Sequence, residues 1–235
     1  MVAFIVMKFE DKNMSSRQKN LMNSIYKFQS PFYNLTRKFY LLGRDFLLKQ
    51  IAKDHPRSIL EVGCGTGRNL FKLNKFMHEA TPVPLLVGCD ICDSLLYQAE
   101  VRKRFSDTHL HFICEAAENF DAEKNYFPKF EAAFCSYSLS MIPDTEGALK
   151  AIWNNLANNG SLYIIDFHDF KGLPLMIRKL HDHWLNFFHV SYREQTFEKL
   201  EKSNLFQIEE DVTLYGAYAR FLKLKKLPEA DVQEK

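Results

Sequence analysis

Ser58-Ile59-Leu60-Glu61-Val62-Gly63-Cys64-Gly65-Thr66-Gly67 is the stretch that decides how this chain folds. An apolar run of strand length ends in three glycines spaced two apart, and Arg68 to His78 then reads as a helix. Glycines at such a turn permit positive φ and let a ligand approach the backbone, while the helix that follows turns free N–H groups toward it. The spacing is GxGxG. It is neither the GxGxxG of a dinucleotide site nor a phosphate-binding loop, which would continue into Gly-Lys-Ser/Thr. Asp90 stands 23 residues beyond Gly67 and ends a second apolar strand, Leu85 to Asp90. A carboxylate there can accept both hydroxyls of a ribose. Taken alone, Asp90 also fits the N-cap of the next helix.

Working outward, the pattern keeps alternating. Ser94 to Phe105 reads as a helix, Leu110 to Cys114 as a strand and Phe130 to Ser136 as another. Glu146 to Ala157 reads as a helix closed by Asn158-Asn159-Gly160, and Ser161 to Asp166 as a fifth strand. This predicts an α/β fold with a mostly parallel sheet and helices on both faces. The tail changes character. Phe206 to Val212 and Tyr215 to Leu224 predict an antiparallel hairpin turning around Gly216, at the edge of the sheet. Upstream, Ser24 to Lys53 is helix-like and broken near Pro31, with Leu35, Phe39, Leu42, Phe46 and Leu47 at helical spacing. The division expected is a basic helical leader and substrate cap over residues 1–57 and a ligand-binding domain over residues 58–235.

With 235 residues and 46% hydrophobic side chains, the chain can bury a sizeable core. The net charge of +2 argues against bulk nucleic-acid binding. That charge is segregated, with +7 in residues 1–57, −6 in 58–170 and +1 in 171–235. A basic leader before an acidic centre suggests a charged partner or a solvated helical face. No apolar run reaches the roughly 18–20 residues of a membrane span. Met1 to Phe9 is apolar but too short for a span, has no basic stretch before it, and is expected to be a weakly ordered terminus rather than a signal peptide. Five cysteines, an odd number set mostly in strand-like segments, fit a reduced cytosolic protein. Cys89 and Cys92 form a single CxxC, which cannot complete a four-ligand zinc site, and no metal is expected. Aromatic residues make up 14% of the chain, which fits an aromatic-rich core or an apolar, interfacial substrate.

The glycine loop, Asp90, the strand pattern and the terminal hairpin together resemble the class I S-adenosylmethionine-dependent methyltransferases. The resemblance implies a Rossmann-like, seven-stranded sheet in the order 3-2-1-4-5-7-6. It implies S-adenosyl-L-methionine as cofactor and S-adenosyl-L-homocysteine as product. Glu61, Gly63, Cys64, Gly65 and Gly67 would then surround the methionine part of the cofactor, and Asp90 with Ile91 the ribose. Glu115 and Ala116 would meet the adenine, although many relatives carry Asp where Glu115 stands. Ser136 would flank the methionine and the methyl group, with Tyr40 closing over the cofactor from the leader.

Three further stretches resemble the betaine-lipid methyltransferases, which trimethylate the amino group of diacylglyceryl-homoserine. They are Tyr33 to Asp45, Ser136-Tyr137-Ser138-Leu139-Ser140-Met141-Ile142-Pro143-Asp144, and Asp166 to Asp169 with Gly172 to Pro174 and Trp184 to Val190. The likeness spans about residues 20 to 195. Asn34 and His168 depart from it, since that family usually carries Asp and Gly there. It implies a lipid amine substrate at an anionic membrane surface and an enzyme making diacylglyceryl-homoserine as partner. It also implies a cytoplasmic protein attached peripherally to the inner face of the membrane. Tyr137 and His168 are the catalytic candidates. An aromatic face such as Tyr33, Tyr40 or Tyr137 can favour a sulfonium and a growing ammonium, worth roughly 0.5–2 kcal/mol. His168 or Asp169 can relay a proton or hold the head group, and Arg37, Lys38 and Arg44 can bind the homoserine carboxylate. Leu173 to Val190 reads either as an interfacial amphipathic helix or as a helix packed on the sheet. Methylation of phosphatidylethanolamine or of a small amine stays open, as does a regulatory subunit that binds the cofactor without turnover.

Overall fold

The computed structural model describes residues 41–168 and 193–229. Its elements in chain order are α1 (Arg44–Lys53), β1 (Ser58–Val62), α2 (Arg68–Phe76), β2 (Leu85–Asp90), α3 (Asp93–Arg102) and β3 (Leu110–Cys114). They continue with β4 (Phe130–Ser136), α4 (Thr145–Asn155), β5 (Leu156–Phe167), α5 (Arg193–Lys202), β6 (Phe206–Leu214) and β7 (Ala219–Lys226). Short 3₁₀ turns lie at Ala117–Asn119 and Leu139–Met141. The seven strands form one sheet in the order β3-β2-β1-β4-β5-β7-β6. β1 to β5 run parallel, while β7 pairs antiparallel with β5 and with β6. This is the Rossmann-like sheet order that the resemblance implies.

Alternate strand residues build two cores, as the period of two requires. Ile59, Phe134, Ile165 and Phe221 face α1, α2 and α3 through Leu47, Leu48, Leu70, Leu73 and Leu96. Their chain neighbours Leu60, Ala133, Ile164 and Leu222 face α4 and α5 through Leu149, Ile152, Phe197 and Leu200. Fully burying a side chain of this size contributes about 1.5–3 kcal/mol, so the two layers hold the sheet between them.

Three boundaries differ from the sequence reading. The helix ending at Lys53 starts at Arg44, because Gly43 has φ 78 and a Cβ there would stand 2.5 Å from Ile165 Cδ1. Gly43 therefore breaks the helical spacing that runs through Leu42 and Phe46. α4 ends at Asn155 rather than Ala157, because Leu156 already pairs with Phe130. The next pair is Ala132 with Ser161, so Asn158, Asn159 and Gly160 bulge from β5 instead of capping the helix. The hairpin turn falls at Tyr215, Gly216 and Ala217, all with positive φ, and β7 begins only at Ala219. Tyr33, Asn34, Arg37, Lys38, Tyr40, Asp169 and the segment Leu173 to Val190 lie outside the described residues, as does most of the expected leader. No helix among the described residues is long and apolar enough to cross a membrane.

Candidate active site

The carboxyl ends of the central strands meet in a cleft of about 640 Å³, counting its open mouth. Gly63 forms its floor. It has φ 75, and a Cβ on it would lie 2.4 Å from Ser138 Cβ, so only glycine lets the end of β1 pass beneath the segment leaving β4. Ser138 Oγ closes that contact by donating to Val62 O at 2.6 Å. Asp90 is held from two sides, by Gly65 N–H at 2.8 Å and by Cys92 N–H at 2.9 Å. Two charge-assisted backbone bonds fix the carboxylate against the glycine loop. Glu115 lies on the same wall, its Oε2 accepting from Asn125 Nδ2 at 3.2 Å. Ile91, Leu95, Ala116, Met141 and Ile142 supply apolar surface.

A second cavity adjoins the first at Gly63 and is lined by Glu61, Cys64, Thr66 and Ser136, with Leu41 just before α1 and Arg44 at its start. Glu61 is buried and its Oε1 accepts from Asn69 Nδ2 at 2.7 Å. Ser136 Oγ is buried and makes no hydrogen bond among the described residues. A buried polar atom in that condition favours a ligand that supplies its partner. Arg44 is only 8% exposed at this wall, with Nε donating to Leu41 O at 3.1 Å. The two cavities together therefore present an acid for hydroxyls, an acid on the apolar wall, an unpartnered hydroxyl and a buried cation.

Tyr137 is among the residues lining the first cleft, is 2% exposed, and packs its ring 4.6 Å from the Phe167 ring between centroids. Its hydroxyl donates to Leu42 O at 2.6 Å. Burial, with Tyr218 and Asp166 adding to it, pushes the phenol well above its ordinary range. Tyr137 also has φ 56, a strained conformation for a non-glycine residue and of the kind that gathers at functional sites. Burial first, then Asp90 and Glu61, likewise push the Cys64 thiol up, so it is a wall and not a nucleophile.

Of the residues expected from sequence, Gly63, Gly65, Asp90, Ile91, Glu115, Ala116 and Tyr137 converge on the first cleft. Glu61, Cys64 and Ser136 line the second. Gly67 caps the start of α2 with φ 67 and belongs to neither wall. His168 is elsewhere. Its N–H donates to Tyr218 O at 3.0 Å and its ring meets Phe197 edge-on, outside the walls of both cavities. Sequence reasoning did not assign Leu95, Ser138, Met141 or Ile142 to the cleft, although the last three lie in the quoted Ser136–Asp144 string. Arg44 was assigned to substrate from its charge alone, and its burial beside the glycine loop is a tertiary fact.

Residues 59–160 match the methyltransferase-domain family, a span holding the glycine loop, Asp90, Glu115 and Ser136 to Asp144. Among curated proteins, the malonyl-[acyl-carrier protein] O-methyltransferase of Anoxybacillus flavithermus is 32% identical over 80 residues, which is 34% of this chain and 28% of that protein. Among solved structures, the plantazolicin methyltransferase BpumL in complex with a triazolic desmethylPZN analogue and SAH is 16% identical, with TM-score 0.62, covering 92% of this chain and 98% of its own. The 1,6-didemethyltoxoflavin-N1-methyltransferase of Burkholderia thailandensis, with its ligand and S-adenosylhomocysteine bound, is 14% identical with TM-score 0.62, covering 93% and 90%. Residues 59–160 thus match a methyltransferase domain, and the chain shares its fold with solved methyltransferase structures. The acceptors named for these proteins differ, so the domain by itself does not specify one.

Proposed function

We propose that this protein is an N-methyltransferase whose acceptor is the amino group of diacylglyceryl-homoserine, presented at an anionic membrane surface. The observation that carries methyl transfer is the double cavity at Gly63. S-adenosylmethionine, when bound, supplies a methyl group on a sulfonium centre. Asp90 would take its ribose hydroxyls and Glu115 its adenine amine. Glu61, Ser136 and Arg44 have the charges and hydrogen-bonding capacity that its amino and carboxylate groups require. The apolar walls at Ile91, Leu95, Met141 and Ile142 would displace water around a bound amine, which strips hydration from the nucleophile. Tyr137 belongs to the wall of the first cleft, where its ring would favour cationic charge. Its hydroxyl is committed to Leu42 O, so Tyr137 acts by its ring and not by moving a proton. No proton transfer is assigned to His168, whose ring packs on Phe197.

The acceptor rests on the Ser136–Asp144 string and its resemblance to the betaine-lipid enzymes, with the basic leader as support for an anionic lipid surface. The test is mass spectrometry of lipids after incubating the full chain with S-adenosylmethionine and diacylglyceryl-homoserine in mixed micelles. Gains of one to three methyl groups on the head group are expected. Methylation of phosphatidylethanolamine or a soluble amine in parallel incubations, with none here, replaces the acceptor and leaves the domain standing. S-adenosylhomocysteine binding without turnover on any amine favours a regulatory subunit.

A further inference from the structure

We propose that Asp166 is a positioning residue for the cofactor cleft, acting through Ser140 on the turn that forms one of its walls. The inference rests on the cleft at Gly63 being the cofactor site. Asp166 is the penultimate residue of β5, is 1% exposed, and lines neither cavity. Its Oδ2 accepts from Ser140 N–H at 3.0 Å, and its Oδ1 from Ser140 Oγ at 2.8 Å and Phe167 N–H at 2.8 Å. Ser140 is the middle of the 3₁₀ turn Leu139–Met141, is 4% exposed, and also stays out of the cleft. The residues on either side of it, Ser138, Met141 and Ile142, do line the cleft. The three serines of the string thus have separate tasks. Ser136 lines the second cavity, Ser138 ties the segment to β1 through Val62 O, and Ser140 ties it to β5 through Asp166. The turn's own bonds, Met141 N–H to Ser138 O at 3.0 Å and Ile142 N–H to Leu139 O at 3.2 Å, hold its shape, and a buried carboxylate that takes both donors of its central residue fixes where that shape, with Met141 and Ile142, stands against the sheet.

The test is calorimetric binding of S-adenosyl-L-homocysteine to the full-length protein and to Asp166→Ala, Asp166→Asn, Ser140→Ala and Asp90→Ala, well below each melting temperature. Asp166→Ala leaves the Ser140 N–H buried without its acceptor and should weaken binding about tenfold. Hydrogen exchange at the Ser140 amide should rise in parallel, with exchange in β1 unchanged. Asp166→Asn should fall between, since either orientation of the amide sets its NH₂ against one backbone N–H. Ser140→Ala removes only the hydroxyl bond, should weaken binding about threefold, and decides the matter if Asp166→Ala does not fold. A merely structural role would lower the melting temperature and leave the affinity of the folded protein unchanged, and that result overturns the inference. If Asp90→Ala binds like the parent, the assignment of the cleft fails instead, and the inference fails with it.

Discussion

Gly63 shows how one missing side chain sets the site. Its φ of 75 and the 2.4 Å approach of Ser138 Cβ leave no room for a methyl group. Gly63→Ala should therefore cost roughly 1–3 kcal/mol of stability through strain and weaken S-adenosylhomocysteine binding at least about tenfold, as Ser138 moves into the cleft. Thermal unfolding and calorimetric binding check the two effects separately. Gly63, Gly65 and Asp90 were legible in the sequence because their geometry is local: a strand end, a turn and a second strand end at a characteristic separation. Ser136 was legible as the end of β4. Arg44 and Met141 were not, because what makes them part of the site is burial against residues far along the chain. The position of the His168 ring was not legible either, for the complementary reason. His168 follows β5 at the correct edge of the sheet, but its ring turns to Phe197 on α5, a partner that spacing does not reveal.

The junction of α1 with the sheet tests the same argument among whole elements. Asp54 follows α1 and accepts from Tyr163 Oη on β5, while Lys223 Nζ on β7 stands 2.8 Å from its carboxylate. Burial works to raise this carboxyl, yet the bonds from Lys223 and Tyr163 outweigh it and hold it below its ordinary value. The same contact, together with burial, pushes the Tyr163 phenol far up. A depressed carboxyl contributes stability above its unfolded pKa of about 4 and loses that contribution as pH falls through the folded value. Asp54→Asn should cost about 1 kcal/mol at neutral pH, and the difference from the parent should close as pH falls below about 4. Urea unfolding at a series of pH values measures it, and a constant difference down to pH ~2 would sink the assignment. The course of α1 and of β5 was partly legible. Hydrophobic period placed both, but the start of α1 depends on Gly43 meeting Ile165, and the start of β5 on Leu156 finding Phe130. Propensity carries no information about such pairings, so the ends moved by a few residues while the elements stayed.

The order of the sheet explains where all of this converges. β1 lies between β2 and β4, so the chain leaves the strands on either side of β1 in opposite directions. That divergence opens a crevice at the carboxyl ends of β1 and β4, the general ligand position in open α/β sheets. Gly63 follows one of those ends, and Tyr137 with Ser138 the other, while Asp90 and Glu115 come from the next two strands outward. A ligand in the crevice would touch four strand ends at once and so must be released before they separate. Binding to the folded state alone stabilises by about 2.7 kcal/mol at a hundred times the dissociation constant. For a chain of this length that corresponds to a rise of roughly 5–10 °C in melting temperature. S-adenosylhomocysteine at that concentration should produce such a rise in the parent protein. In Asp90→Ala, a hundredfold loss of affinity would leave a shift of about 1–2 °C at the same concentration. An undiminished shift would mean that the ligand binds away from the switch point between β1 and β4, and that the crevice serves another purpose.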